Sequence, residues 1–107
     1  MQRTADAAAA RGVVVEEEVH LTFFELCRVV HAPPEQIVGW IGEGVLEPAG
    51  QSPEDWRFAG PSLRRARLAT RLAGDLGLNA PGVALALDLL DEIESLRARL
   101  LRAGARS

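Results

Sequence analysis

The sequence predicts a mostly α-helical chain: a winged helix-turn-helix with a small β-wing and a long C-terminal helix suited to dimerisation. Three observations predict it. Thr22 to Phe58 reads as two short helices, then Gly44-Val45-Leu46-Glu47-Pro48 leading into Trp56-Arg57-Phe58. Residues 60–76 carry the apolar period of an amphipathic helix. From Pro81 to about Arg102 a longer helix is apolar on two sides at first and on one side thereafter.

Length and composition set the frame. A chain of 107 residues suffices for one domain with a modest core. With 48% apolar and 25% charged residues it is globular in class. It has no long apolar run and no basic-plus-apolar leader, so neither a membrane span nor export is expected, and the expected location is cytoplasmic. The single Cys27 excludes an internal disulfide and fits a reducing compartment. All twelve basic residues are arginine.

The elements follow from local signals. Residues 1–12 are Ala- and Arg-rich without periodicity and read as a flexible N-terminal tail; 13–107 reads as a single winged-helix domain. Within it, 13–58 forms the helix-turn-helix and wing, and 59–107 two C-terminal helices. Val13 to Leu21 is β-branched and acidic, as in a short edge strand whose glutamates discourage pairing. Thr22 and Glu25 have capping-box spacing and start a helix at Phe23 that runs to about Val30, with Phe23, Leu26, Cys27 and Val30 on one face. Pro33-Pro34 breaks the chain and opens a second helix, with Ile37, Val38 and Ile41 inward and Gly44 as its left-handed stop.

Val45-Leu46 closes the unit, Gly50 to Asp55 is a turn-rich tip, and Trp56-Arg57-Phe58 alternates as a strand. Gly60-Pro61 opens the third helix, to Leu76, with Leu63, Ala66, Leu72, Ala73 and Leu76 inward. Gly77 ends it, and Asn79 caps the last helix ahead of Pro81. In that helix Val83, Leu87 and Leu90 line one side, and Ala86, Leu89 and Ile93 the other. Ala86, Leu89, Ile93, Leu96 and Leu100 step by three and four, the spacing of a coiled-coil seam. A helix that outruns its core with such a stripe meets a second helix, so Leu89, Ile93, Leu96 and Leu100 are the expected contacts of a homodimer.

Charge opposes the outline. DNA readers draw most of their non-specific affinity from Lys and Arg on phosphates. Residues 13–58 hold nine acidic side chains against two arginines, a formal charge of −7, whereas 59–107 carry +3. The would-be reading helix, residues 34–43, has Glu35, Glu43 and one amide, Gln36, with no Arg or Lys. Base readout and phosphate anchoring both lack their usual side chains, so no direct DNA binding is expected. Arg64, Arg65, Arg67 and Arg71 on the third helix could touch phosphates, but equally they could snorkel or pair with acids of the same chain.

Catalysis has little to stand on: no nucleophile has a base at a recognisable spacing, and the glycines follow no phosphate-loop pattern, so the chain reads as a non-enzyme. His20, Cys27 and His31 lack tight ligand spacing, and Cys27 falls on an apolar helix face, so no metal or cofactor is expected. Two acidic clusters remain, Glu16-Glu17-Glu18 on the strand and Asp88, Asp91 and Glu92 on the last helix. Two such clusters on one small domain favour docking of a basic protein, and these six residues are the candidate partner-binding set.

The combination Thr22-Phe23-Phe24-Glu25-Leu26-Cys27, Val45-Leu46-Glu47-Pro48, Trp56-Arg57-Phe58, then Asn79-Ala80-Pro81-Gly82-Val83-Ala84-Leu85-Ala86-Leu87 with Leu90-Asp91-Glu92-Ile93, resembles the CbpM-type chaperone modulators. The likeness covers roughly Val13 to Leu101, and its most specific part is the helix that begins at Pro81. It implies a MerR-like winged helix-turn-helix in a small bacterial protein that binds the J-domain of a DnaJ-like co-chaperone, CbpA. Such modulators block CbpA's work with the Hsp70 chaperone DnaK and suppress its DNA binding, which would place the protein at the nucleoid through its partner. A MerR-like transcription regulator is the alternative, since the wing motif alone is common to both. The Ala/Arg-rich tail and the Pro33-Pro34 pair depart from the family pattern.

Overall fold

The computed structural model describes residues 20–106, with side chains to residue 104. Residues 1–19, and with them the expected tail, most of the edge strand and Glu16, Glu17 and Glu18, lie outside the described residues. Among the described residues there are four α-helices: α1 Phe23–Val30, α2 Pro34–Gly42, α3 Gly60–Leu76 and α4 Ala80–Arg106. Helix α1 packs on α2 and α3, and α4 packs on α2 and α3.

Helix α1 begins where its capping box dictates. The Glu25 amide donates to Thr22 Oγ1 at 3.1 Å, and the Thr22 amide donates to Glu25 Oε1 at 2.8 Å. It ends at His31, which takes a left-handed φ of 59°, and the Ala32 amide reaches the Cys27 carbonyl at 3.1 Å. Leu26, Cys27 and Val30 are buried and Phe23 is half-buried against them, as expected from the sequence.

Helix α2 starts on Pro34, and Gly44 follows its end at φ 79°, donating to the Ile41 carbonyl at 3.1 Å. Its inward face differs from the expected one. Ile37 and Trp40 are buried, whereas Val38 is 50% exposed. The helix lies between α1 and α4, so its core face turns toward Trp40 and leaves Val38 outside.

The expected wing is slighter than a strand pair. Leu21 and Phe58 exchange two backbone hydrogen bonds at 2.9 and 2.8 Å, as do Ala49 and Arg57 at 2.9 Å each, and both are isolated antiparallel bridges. Between them the chain turns through a single 3₁₀ turn, Pro53–Asp55. Gly50 sits at φ 110°, and a Cβ there would meet the Asp55 carbonyl oxygen at 2.6 Å, a backbone atom with no room to yield. Gly50→Ala therefore combines a strained φ with a clash. It is expected to lose about 2 kcal/mol or more of stability in urea denaturation, where a tolerant turn would lose less than about 0.5.

Phe58 closes the bridges from inside, fully buried with Val45 and Leu46. Helix α3 enters this core along a small-residue edge: Ala66 and Ala69 are wholly buried, with Leu63, Leu68, Leu72 and Ala73 half-buried around them. Leu76, expected inward, is 66% exposed because the helix has left the core by its last turn. Gly77, in the left-handed region, stops it.

Helix α4 begins one residue earlier than the sequence suggests and runs four further, to Arg106. Asn79 caps it, its Oδ1 accepting from the Gly82 amide at 2.9 Å. Val83 and Leu87 are buried against the core, but Leu90, placed with them by periodicity, is 42% exposed. After Leu87 no α4 residue is buried among those whose side chains are described. The 27-residue helix spans about 40 Å, and its outer half stands clear of the core.

Candidate protein-interaction surfaces

Three surfaces could carry function, and each is set by the helix that presents it. The first is α2, at the position of a reading helix. Its exposed residues include Glu35, with Glu43 at its C-cap, and Gln36 is half-buried. Carboxylates at that place repel a phosphate backbone.

The second surface is the outer part of α4. Asp88, Asp91 and Glu92 are all exposed, but their situations differ. Asp91 Oδ2 receives Arg65 Nη1 at 3.1 Å, and the same guanidinium donates through Nε to the Val45 carbonyl at 2.9 Å. Arg65 thus ties α3 to the segment after α2 and to the middle of α4, so this arginine of the expected set pairs within the chain. With Arg65 about one-third and Asp91 more than half exposed, the ion pair itself contributes no more than about 1 kcal/mol. Asp91 is engaged inside the molecule, whereas Asp88 and Glu92 lie on the solvent side, one turn apart on one face.

On another side of α4, roughly opposite Val83 and Leu87 at about 100° per residue, run Leu89, Ile93, Leu96 and Leu100. These four are 45–71% exposed, with Leu85 also largely exposed beside them. The expected contact stripe is therefore uncovered in the single chain. No helix among the described residues is long and apolar enough to cross a membrane.

The third surface was not legible as a site in the sequence. Phe24 is 74% exposed at the start of α1, edge-on to Phe23 with centroids 5.7 Å apart. Phe23 meets Trp56 at 5.8 Å, and Trp56 meets the buried Phe58 at 6.3 Å, all in edge geometry. Beside this ladder Thr22, Phe23, Phe24, Pro53 and Glu54 line a groove of about 290 Å³. The adjacent Phe23-Phe24 pair, one half inside and one outside, was the available signal.

Cys27 sits on the buried face of α1, and desolvation by burial pushes its thiol above the ordinary range. A thiol held protonated in this way is a poor nucleophile and a poor metal ligand. His20 and His31 are exposed, at the two ends of that helix.

Comparison with known proteins agrees with this geometry. The model for MerR HTH family regulatory proteins matches residues 21–102. A chaperone modulatory protein CbpM of Coxiella burnetii (strain Dugway 5J108-111) is 41% identical over 90 residues, covering 84% of this chain and 85% of that protein. A protein of the same name from Pseudomonas putida (strain W619) is 38% identical over 79 residues, covering 74% of this chain and 78% of its own. With a helix-turn-helix scaffold, an acidic reading helix and relatives of this likeness over most of its length, the chain belongs to the CbpM family of chaperone modulatory proteins.

Proposed function

We propose that this protein is a chaperone modulator that binds the J-domain of a DnaJ-like co-chaperone of the CbpA type, as a homodimer, and inhibits both its co-chaperone activity and its DNA binding. The observation that carries this reading is the acidic α2. A helix-turn-helix that presents Glu35 and Glu43 in place of Lys and Arg is built to meet a cationic protein surface rather than a duplex. The name of its relatives, chaperone modulatory protein, supports a partner in the chaperone machinery.

The mechanism is competition. A J-domain works with Hsp70 through a basic helix, and an acidic protein seated on that surface excludes Hsp70 by mass action. Glu16, Glu17, Glu18, Asp88, Asp91 and Glu92 supply the charge that orients the encounter and speeds it, while apolar contacts supply most of the affinity. Because Asp91 already pairs with Arg65, Asp88 and Glu92 carry the larger part on α4. Asp88→Arg with Glu92→Arg is expected to weaken J-domain binding about tenfold at low salt and only slightly at moderate salt, with the fold unchanged. Equal affinity at low salt would move the charged contact off α4.

The experiment that tests the function is calorimetric titration of the protein into the isolated J-domain of its own CbpA-like partner, at two salt concentrations. Saturable binding that weakens with salt, together with loss of DnaK stimulation, supports the inhibitor reading. Absence of heat at both salts overturns it.

A further inference from the structure

We infer that the groove beside Phe24 is the apolar anchor point of the partner interface, and that it receives a cationic segment of protein with one apolar side chain flanked by Lys or Arg. The inference rests on the proposed function only in taking the J-domain as the source of that segment.

The groove has a floor, an exposed knob and a charged rim. Phe23 and Pro53 give it an apolar lining, and Phe24 stands over it with three-quarters of its surface in water. A single exposed aromatic needs no explanation. This one is held rigid, because the capping box fixes the first turn of α1 and the edge contacts run from Phe24 through Phe23 and Trp56 to the core. A rigid aromatic beside a concave apolar surface loses little entropy on binding, which is the property of an interface hot spot.

Charge selects the occupant. Glu54 lines the groove, and Asp55, which accepts from the Ser52 hydroxyl at 3.2 Å, lies next to it in the same turn. Residues 20–58 together carry six carboxylates against two arginines. Of those arginines, Arg57 is turned back onto the Trp56 carbonyl at 2.8 Å, and Arg28 sits one turn beyond Phe24 at the far end of α1. The groove is therefore negative at the Pro53–Asp55 turn, and neither arginine is among its lining residues. A cationic segment lies with its basic residues at Glu54 and its apolar residue against Phe24, where its cations also gain from the aromatic face. A nucleic acid meets the same carboxylates as repulsion.

The test uses the full chain and the isolated J-domain, with wild type, Phe24→Ser and Glu54→Arg titrated side by side at low and moderate salt and each weighed by light scattering. Phe24→Ser is expected to weaken binding about thirtyfold at both salts, as for an aromatic anchor, with helicity and mass unchanged. Glu54→Arg, at an exposed side chain, is expected to weaken it several-fold at low salt and less at moderate salt, with helicity unchanged. Wild-type affinity in both variants would overturn the groove while leaving the J-domain reading standing. A Phe24→Ser variant with altered mass would show the groove to be a contact between copies of this chain, and would also overturn it. Failure of the wild type to bind would remove the proposed function and this site together.

Discussion

Trp40→Ala is expected to remove most of the chain's stability at 25 °C. Trp40 is one of the largest fully enclosed side chains, on the helix that α1 and α4 both cover. Truncating a buried Trp costs about 3–5 kcal/mol, through lost transfer energy and an uncollapsed cavity. A domain of this size holds only about 5–15 kcal/mol in total, and small ones lie toward the low end. Urea denaturation followed by circular dichroism measures the loss directly, with Val38→Ala on the same helix as the control. Since Val38 is half exposed, its truncation should cost less than about 1 kcal/mol. Similar losses for the two would mean that α2 does not bury the face described.

Leu96→Arg, alone or with Ile93→Arg, is expected to abolish the proposed dimer without unfolding the chain. Both side chains are about half exposed in the single chain, so a charge there disturbs no core. In a helix pair they would be central, and each such residue gains about 1.5–3 kcal/mol on full burial, which a buried guanidinium turns into a penalty. Sedimentation or light scattering at tens of micromolar should report twice the chain mass for wild type and the chain mass for the variant. A wild type that sediments as a monomer at that concentration would sink the coiled-coil reading. If monomeric Leu96→Arg binds the J-domain with unchanged affinity, the two surfaces act independently.

What the sequence revealed and what it hid divide along a physical line. Signals completed within a few residues were legible: the Thr22–Glu25 box, Pro34 in the first turn of α2, Gly44, Gly77 and the Asn79 cap all stand where local chemistry puts them. Facing was harder. Val38 and Trp40 are two residues apart on one helix, and which of them turns inward depends on neighbours brought from elsewhere in the chain. Size misled as well. Leu76 looked like core and is exposed, while Ala69 was passed over and is wholly buried, because close approach of α3 favours a small side chain.

The candidate site shows the same division. Asp88, Asp91 and Glu92 read as one cluster, yet Asp91 is drawn to Arg65, 26 positions away, a pairing that no local pattern encodes. The aromatic ladder likewise joins residues 23 and 24 to 56 and 58 and emerges only once the chain is folded. The exposed leucine stripe on α4, by contrast, was legible because its three-and-four spacing is itself a local repeat.

Helix α4 is continuous in hydrogen bonding but divided in what stabilises it. Its first turns share the free energy of the whole fold through Val83 and Leu87. Beyond Asp91 the backbone must rely on helix propensity alone, and for a segment that short, propensity is marginal in water. Local opening is therefore nearly free at one end of the rod and as costly as global unfolding at the other. In the proposed dimer the outer half would act as an assembly gauge: its order would rise when a second helix covers the leucine stripe and fall when the chain is diluted, while the core beneath it stays the same.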